Sequence, residues 1–420
     1  MTDVDQRIHQ YADEVYESVV RWRRDFHLHP ELGNQEVRTS QIVAEHLRAI
    51  GVDEVYEHLA GGTGVLGVIH GAQPGPTVGL RADMDALPIR EDTGLPFAST
   101  DTTQWGNQGT VPVMHACGHD MHTAMLMGAA QVIVRLRDRL KGKVLLVFQP
   151  AEEGWSSDWV GKSGAARFVE EPLYRQNQPD AMFGQHIWYY APRGSVGRLG
   201  VLPGQVGYCM DIVKITVHGQ SAHGNRPWMG RDSIMAAAQI ITALQTIPSK
   251  NTDIYKNSVS VTMGVIKGGT KFNVVADTTE IEGALRFTDR TSRAYMEQRF
   301  TDIITHTAEA MGCTVDIQMT YVPGLYNDPA LLERTQRSLD QLFGEGVFTQ
   351  DPALSFANLD DYSWYTEDCP GLFYGLSIAW PEDDPHETIP NHNPRFDPNE
   401  EAMRNGVKAL AASAIKYADQ

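Results

Sequence analysis

The sequence predicts an α/β fold in two parts: a domain with a central mixed sheet flanked by helices, and an inserted domain of ferredoxin-like βαββαβ order. Three observations predict it. The 420 residues exceed what one hydrophobic core usually serves. Strand and helix signals alternate through residues 1–205 and return in 323–420, as in α/β domains. Between them, 206–322 carry the split order of strands and helices, at the size of a self-contained domain.

Taken in order, Ile8, Tyr11, Val15, Val19, Trp22 and Phe26 recur at three- and four-residue spacing and predict the first helix, which His29-Pro30 ends. A second helix runs through Ile42, Leu47 and Ile50 to a cap at Gly51. Residues 65–69 and 77–80 read as strands and 121–140 as a helix. The unbroken apolar run at 144–148 suits a strand covered on both faces of a parallel sheet. From Tyr208 the expectation is a strand (208–218), a helix (232–247), two strands (258–266 and 274–287), a helix (291–311) and a strand (314–322). A helix at 329–343, a strand at 372–378 and an amphipathic helix from Glu400 close the chain.

Thirty-five Lys and Arg against 53 Asp and Glu leave a formal charge of −18, which argues against a nucleic acid partner. No run of about 18 apolar residues occurs, so no membrane span is expected. The polar start Met1-Thr2-Asp3-Val4-Asp5-Gln6 has no basic or apolar leader pattern. Four separated cysteines (Cys117, Cys209, Cys313, Cys369) with no CxxC pair fit a reducing cytoplasm.

Four segments concentrate metal-binding side chains. His115-Ala116-Cys117-Gly118-His119-Asp120-Met121-His122 offers a thiol and an imidazole to one site from a single loop. Gln149-Pro150-Ala151-Glu152-Glu153-Gly154 follows the apolar strand and so falls at the ligand-binding edge of an α/β sheet. Neighbouring side chains diverge, so one carboxylate can hold a metal while the other serves as general base. Gln185-His186-Ile187-Trp188 and Asn391-His392-Asn393-Pro394 add single histidines. Each segment alone has a structural explanation, but all four together are the stronger signal.

With these stretches, Leu80-Arg81-Ala82-Asp83-Met84-Asp85-Ala86-Leu87-Pro88 and Asn273-Val274-Val275-Ala276-Asp277, the sequence resembles N-acyl amino acid amidohydrolases. This group includes hippurate hydrolases and indole-3-acetyl-amino acid hydrolases, within the aminoacylase and carboxypeptidase G metallopeptidase family. The resemblance runs from about residue 20 to about residue 400. It implies that Cys117, His119, Glu153, His186 and His392 bind two divalent ions, zinc or manganese first, cobalt or nickel as alternatives. Glu152 would be the general base for amide hydrolysis. The inserted domain would serve as lid and dimerisation surface, giving a homodimer or a higher homo-oligomer. By the same resemblance His223 would stabilise the oxyanion, with Asn273 assisting and Arg286 holding a substrate carboxylate. Asp85 and Asp120 are expected to orient ligands.

The sequence departs from the family pattern at Trp155-Ser156-Ser157-Asp158-Trp159, at Ser221-Ala222-His223-Gly224 and at Asn391-His392-Asn393-Pro394, all at positions suited to a pocket wall. Trp155, Trp159, Trp188, Tyr189, Trp228, Tyr362 and Trp364 are candidates to line a site for a bulky group, or equally to serve as core. Two other readings stay open: a carboxypeptidase or dipeptidase on the same scaffold, and a binding protein without activity.

Overall fold

The computed structural model describes residues 1–154, 162–189, 194–353, 359–380 and 389–419. They fall in two compact units, Met1–Val206 with Tyr326–Gln420, and Gly207–Leu325. The chain enters the first unit with helices α1 (Asp3–Leu28) and α2 (Val37–Ala49), then strands β1 (Glu54–Leu59), β2 (Gly64–His70) and β3 (Gln73–Asp83). Helix α3 (His119–Arg135) and strands β4 (Lys141–Gln149), β5 (Ala181–Trp188) and β6 (Leu199–Gly200) follow. The second unit holds β7 (Cys209–His218), α4 (Ser233–Leu244), β8 (Val259–Gly268), β9 (Thr278–Phe287), α5 (Arg293–Ala310) and β10 (Thr314–Val322). The chain then returns to the first unit with α6 (Pro329–Phe343), β11 (Phe348–Thr349), β12 (Gly371–Ser377) and α7 (Ala402–Ile415).

Local chemistry sets these bounds. Thr2 and Asp5 form a capping box at the start of α1, and Gly51 just beyond α2 takes φ +85°, where a side chain would be strained. Helix α3 starts at His119, two residues before the expected start, and stops at Arg135, where Leu136 leaves helical geometry. The expected strand at 274–287 is two pieces: Val274–Val275 pairs with Ala222–His223, and β9 begins at Thr278.

The first unit is built on a mixed eight-stranded sheet, order β1-β2-β4-β3-β5-β12-β6-β11. Strands β4, β3, β5 and β12 are mutually parallel neighbours. Their carboxyl ends therefore point to one edge, where α/β sheets bind ligands. Val144 to Gln149 are all buried, as expected for a strand covered on both faces. Helices α1, α3 and α7 pack together. Gly128 permits the approach of α1 to α3, since a Cβ there would lie 2.7 Å from Val19.

The second unit is a four-stranded antiparallel sheet, order β8-β9-β7-β10, with α4 and α5 packed on it. Along the chain its order is β-α-β-β-α-β. Strand β7 alternates buried and half-buried positions, as a sheet with one covered face requires. No helix of the described residues is long and apolar enough to cross a membrane.

Candidate metal centre

Six side chains meet at the carboxyl edge of the parallel strands. Cys117 and His119 flank Gly118, the residue before α3, which takes φ +91°. A Cβ on Gly118 would come within 2.0 Å of Ile187, so only glycine lets this loop lie against β5. Glu152 and Glu153 follow Ala151, whose φ of +50° turns the chain sharply after β4. Buried Glu36 fixes that turn: it accepts the Ala151 amide at 2.8 Å and the Thr63 hydroxyl at 2.6 Å. His186 is on β5. His392, also left-handed at φ +65°, sits in a loop bound to the cysteine loop, its amide donating to the Ala116 carbonyl (2.8 Å) and the Asn391 side chain to the Cys117 carbonyl (2.9 Å).

The donor atoms converge. Cys117 Sγ lies 3.4 Å from His186 Nε2 and 3.3 Å from His392 Nε2. His392 Nε2 is also 2.9 Å from Glu153 Oε1. Ligand atoms on one tetrahedral ion are spaced by roughly 3.3–3.8 Å, given metal–ligand bonds of about 2.0–2.3 Å. Among the described residues five groups of mutually close ligand atoms form: Cys117, His119 and His186; Cys117, Glu153 and His392; His119, Glu152 and Glu153; Asp83, His119 and His122; Glu152, Asp360 and Asp361. His119 belongs to three of them, and Cys117, Glu152 and Glu153 to two each. His119 Nε2 is buried without a hydrogen-bond partner, facing Asp83 Oδ2 at 3.6 Å and Glu152 Oε2 at 4.0 Å. A buried nitrogen left open in this way fits a metal ligand, because its desolvation is otherwise uncompensated.

Neighbours orient the rings. His119 Nδ1 is held by the Asp85 carbonyl (2.9 Å) and carboxylate (3.3 Å), which turns Nε2 toward the cluster. Asp85 Oδ2 also accepts the Glu153 amide at 2.9 Å. His186 Nδ1 donates to the Ile187 carbonyl at 2.7 Å. His122 donates to Asp83 Oδ1 (2.6 Å) and accepts the Ile187 amide at Nε2 (2.9 Å), which fixes its tautomer and stitches α3 to β5.

The electrostatics call for a cation. Burial, with the Glu153 and Glu152 charges behind it, pushes the Cys117 thiol well up. Burial pushes His186 well down, keeping it neutral. At His119 burial also acts downward, but Asp83 and Asp85 outweigh it and raise the ring to about 10. Burial, then Asp360 and Glu153, hold Glu152 well above the carboxylate range. For Glu153 burial pushes up and pairing with His392 wins, leaving it lowered. Divalent cations would reverse the thiol's shift and neutralise the excess carboxylate charge.

Some residues of this region carried no sequence expectation. Arg81, fully buried, reaches Asp83 (2.7 Å), Asp360 (3.1 Å) and Asp361 (3.0 Å), and its Nε donates to Gln149 Oε1 at 2.8 Å. It balances acidic residues that close in around Glu152. The Asp360-Asp361 pair was visible in the sequence, but nothing local linked it to a buried arginine 280 residues away.

Asp120, expected to orient a ligand, stands one residue beyond the candidate ligand His119 in α3. Its carboxylate binds His27 Nδ1 at 2.8 Å and Arg23 Nε at 3.0 Å, in a network with Glu91 and Glu400. It orients none of the five expected ligands through its hydrogen bonds or ion pairs. The backbone explains why: His119 and Asp120 are consecutive in a helix, so their side chains diverge by about 100°.

Trp188, Tyr189, Leu359 and Asp360 share a cavity of about 230 Å³ with the cluster. Tyr362 is core, its hydroxyl donating to the Met182 and Leu372 carbonyls. Trp155 and Trp159 lie outside the described residues. In the second unit, Trp228 is exposed. His223 pairs with Val274 across a short ladder that ends beside Asn273, and its Nδ1 accepts the Asn225 amide at 3.0 Å. Arg286 is on β9, opposite Met210 and Ser260, and stacks over Tyr208 at 5.6 Å.

The sequence matches the model of peptidase family M20/M25/M40 over residues 79–416. It is 35% identical to N-acetyl-L-cysteine deacetylase of Bacillus subtilis, over 94% of this chain and 87% of that protein. It is 32% identical to thermostable carboxypeptidase 1 of Saccharolobus solfataricus, over the full length of both. Among solved structures it resembles the Bacillus subtilis YXEP protein, described as a dinuclear metal-binding peptidase from the M20 family. That likeness has a TM-score of 0.74 and 30% identity, over 97% of this chain and 99% of that one. The chain belongs to peptidase family M20/M25/M40.

Proposed function

We propose that this chain is a dinuclear metal-dependent amidohydrolase that cleaves the amide bond of N-acyl amino acids or related small conjugates. The observation that carries the reading is the overlap of the groups of potential ligands, in which Cys117, His119 and Glu153 each belong to more than one, with Glu152 beside them. The proposed ligands are Cys117, His119, Glu153, His186 and His392, with zinc or manganese as the ions. When bound, the ions would lower the pKa of a water and polarise the amide carbonyl. Glu152 takes the proton from that water and delivers it to the departing amine nitrogen. Burial and the neighbouring carboxylates favour its protonated form, which suits the second half of that task. Asp85 and Glu36 fix the backbone of the Glu152–Glu153 turn.

In the second unit we propose His223 as oxyanion donor, assisted by Asn273, and Arg286 as the group that receives the substrate carboxylate. The role proposed for this unit is that of lid and contact surface for a second copy. Phe272 (97% exposed), Ile266 (50%) and Val274 (42%) support an association surface, together with β8 as an edge strand. A reducing cytoplasm is the proposed compartment, in keeping with Cys117, Cys209, Cys313 and Cys369 all being free.

The test is hydrolysis of N-acetyl, N-benzoyl and indoleacetyl amino acids, with dipeptides alongside. It uses chelated protein reloaded with zinc or manganese, and Glu152→Gln as control. Metal-dependent cleavage lost in the variant is the expected result. Turnover confined to the dipeptides favours the peptidase reading, which the full-length likeness to a carboxypeptidase supports.

A further inference from the structure

A second cavity of about 500 Å³ lies in the first unit, lined by none of the residues of the metal centre. Five cations line it, Arg139, Lys141, Arg334, Arg337 and Lys416, with Asp419 as its one lining carboxylate. In a chain of formal charge −18, such a concentration of positive charge is out of keeping with the rest of the composition.

The neighbouring carboxylates do not fully occupy these cations. Arg139 meets Asp3 at 3.3 Å and Asp138 at 3.5 Å, Arg337 meets Glu333 at 2.7 Å, and Lys141 pairs with Asp419. These pairs are largely exposed, so they are weak and open to competition by a stronger anion. Lys416 is held more firmly, by Asp5 (2.7 Å) and the Ser338 carbonyl (2.9 Å). Arg334 has no carboxylate partner among the described residues and stacks over Tyr417 at 5.4 Å.

We propose that this cavity binds a small phosphorylated metabolite. Guanidinium forks match phosphate oxygens two at a time, and three arginines with two lysines suit a diphosphate better than a single carboxylate. The site gathers Thr2 and Val4 near the start of the chain, Arg139 and Lys141 around the start of β4, Arg334 to Gln341 on α6, and Ile415 to Asp419 at the far end. A ligand there ties these segments together and stabilises the fold by binding it in preference to the unfolded chain.

The test is titration of the metal-loaded full chain with pyrophosphate at about physiological salt, in wild type, Arg334→Gln and Arg334→Glu/Arg337→Glu. One saturable site per chain is expected in the wild type, accompanied by a rise in Tm. Affinity should fall about threefold in Arg334→Gln and at least tenfold in the double variant, with amide hydrolysis unchanged in both. Pyrophosphate also binds divalent ions, so equal affinity in all three proteins places it at the metals and overturns the proposal. Absence of binding to wild type does the same, and so does tighter binding of citrate than of pyrophosphate.

Discussion

The interiors of the two units are built from different residues. The second unit has an apolar core of Val213, Ile215, Ile240, Leu285 and Phe300, and Asp211 is the one carboxylate buried with it among the described residues. The first unit buries Arg23, His27, Glu36, Arg81, Asp83, Asp85, His119, Asp120, His122, Asp360 and Asp361 in addition to its apolar core. Buried charge costs stability unless it is paired and hydrogen-bonded. That expense is concentrated around the ends of β3, β4 and β5, where the donor atoms converge. The second unit keeps its unusual residues outside: Phe272, Tyr255 and Ile254 are largely exposed. One unit has a costly interior and the other a costly exterior, which is the pattern the proposed division into a reacting unit and an association unit requires.

The contrast can be broken most severely at Glu152. Glu152→Gln should lower kcat by a factor of about 10³ or more, with Tm nearly unchanged, because the amide keeps the shape and loses the base. Next is Arg81→Met, which leaves Asp83, Asp360 and Asp361 buried without their cation. Chemical denaturation should report a loss of about 3–5 kcal/mol. An effect below about 1 kcal/mol would mean that the carboxylates are neutral or solvated and that the interior of the first unit carries little electrostatic cost.

Asp211→Asn sharpens the comparison from the other side. Burial raises Asp211 to about 6, against partial relief from Arg293, whose Nη2 is 3.8 Å away. Since the folded-state value exceeds the usual 3.8, protonation favours the fold below about pH 4. That stability is lost as pH rises from about 4 to about 6. The variant should therefore gain about 1–2 kcal/mol relative to wild type between pH 4 and pH 8, read from denaturation at both. A pH-independent difference would remove Asp211 from the account. The smallest effect is expected at Phe272→Asp: within about 0.5 kcal/mol on stability, because the residue is 97% exposed. Sedimentation should nonetheless shift toward monomer if a second copy covers it.

Much of the fold is legible in the sequence, because helices and strands here follow their apolar periodicity. The run from Ile8 to Phe26 and the stretch from Val144 to Phe148 lie in α1 and β4 as expected. Asp85 stands beside the candidate ligand His119, whose Nδ1 it holds. The rest depended on contacts far apart in sequence. Arg81 alternates with apolar neighbours in β3 and gives no local sign that its partners are Asp360 and Asp361. Glu36 resembles an ordinary residue before a helix until Ala151 is seen against it. Asp120 is the opposite case: it follows His119 directly in the chain, yet its carboxylate holds His27 and Arg23. Short pieces such as Ala222–His223 with Val274–Val275 are too brief to leave a periodic trace.

The discontinuity of the first unit bears on how the molecule is made. Cys117 and His392 face each other across a sequence separation of 275 residues, and α7, which packs on α3, comes later still. On the ribosome, the loop holding Cys117 and His119 emerges long before its last partner. The second unit, continuous from Gly207 to Leu325, can collapse in the interval. The proposed ligand set can therefore be completed only after the segment holding His392 has been synthesised. Until then Cys117, His119 and His186 are members of that set that the chain can already bring together.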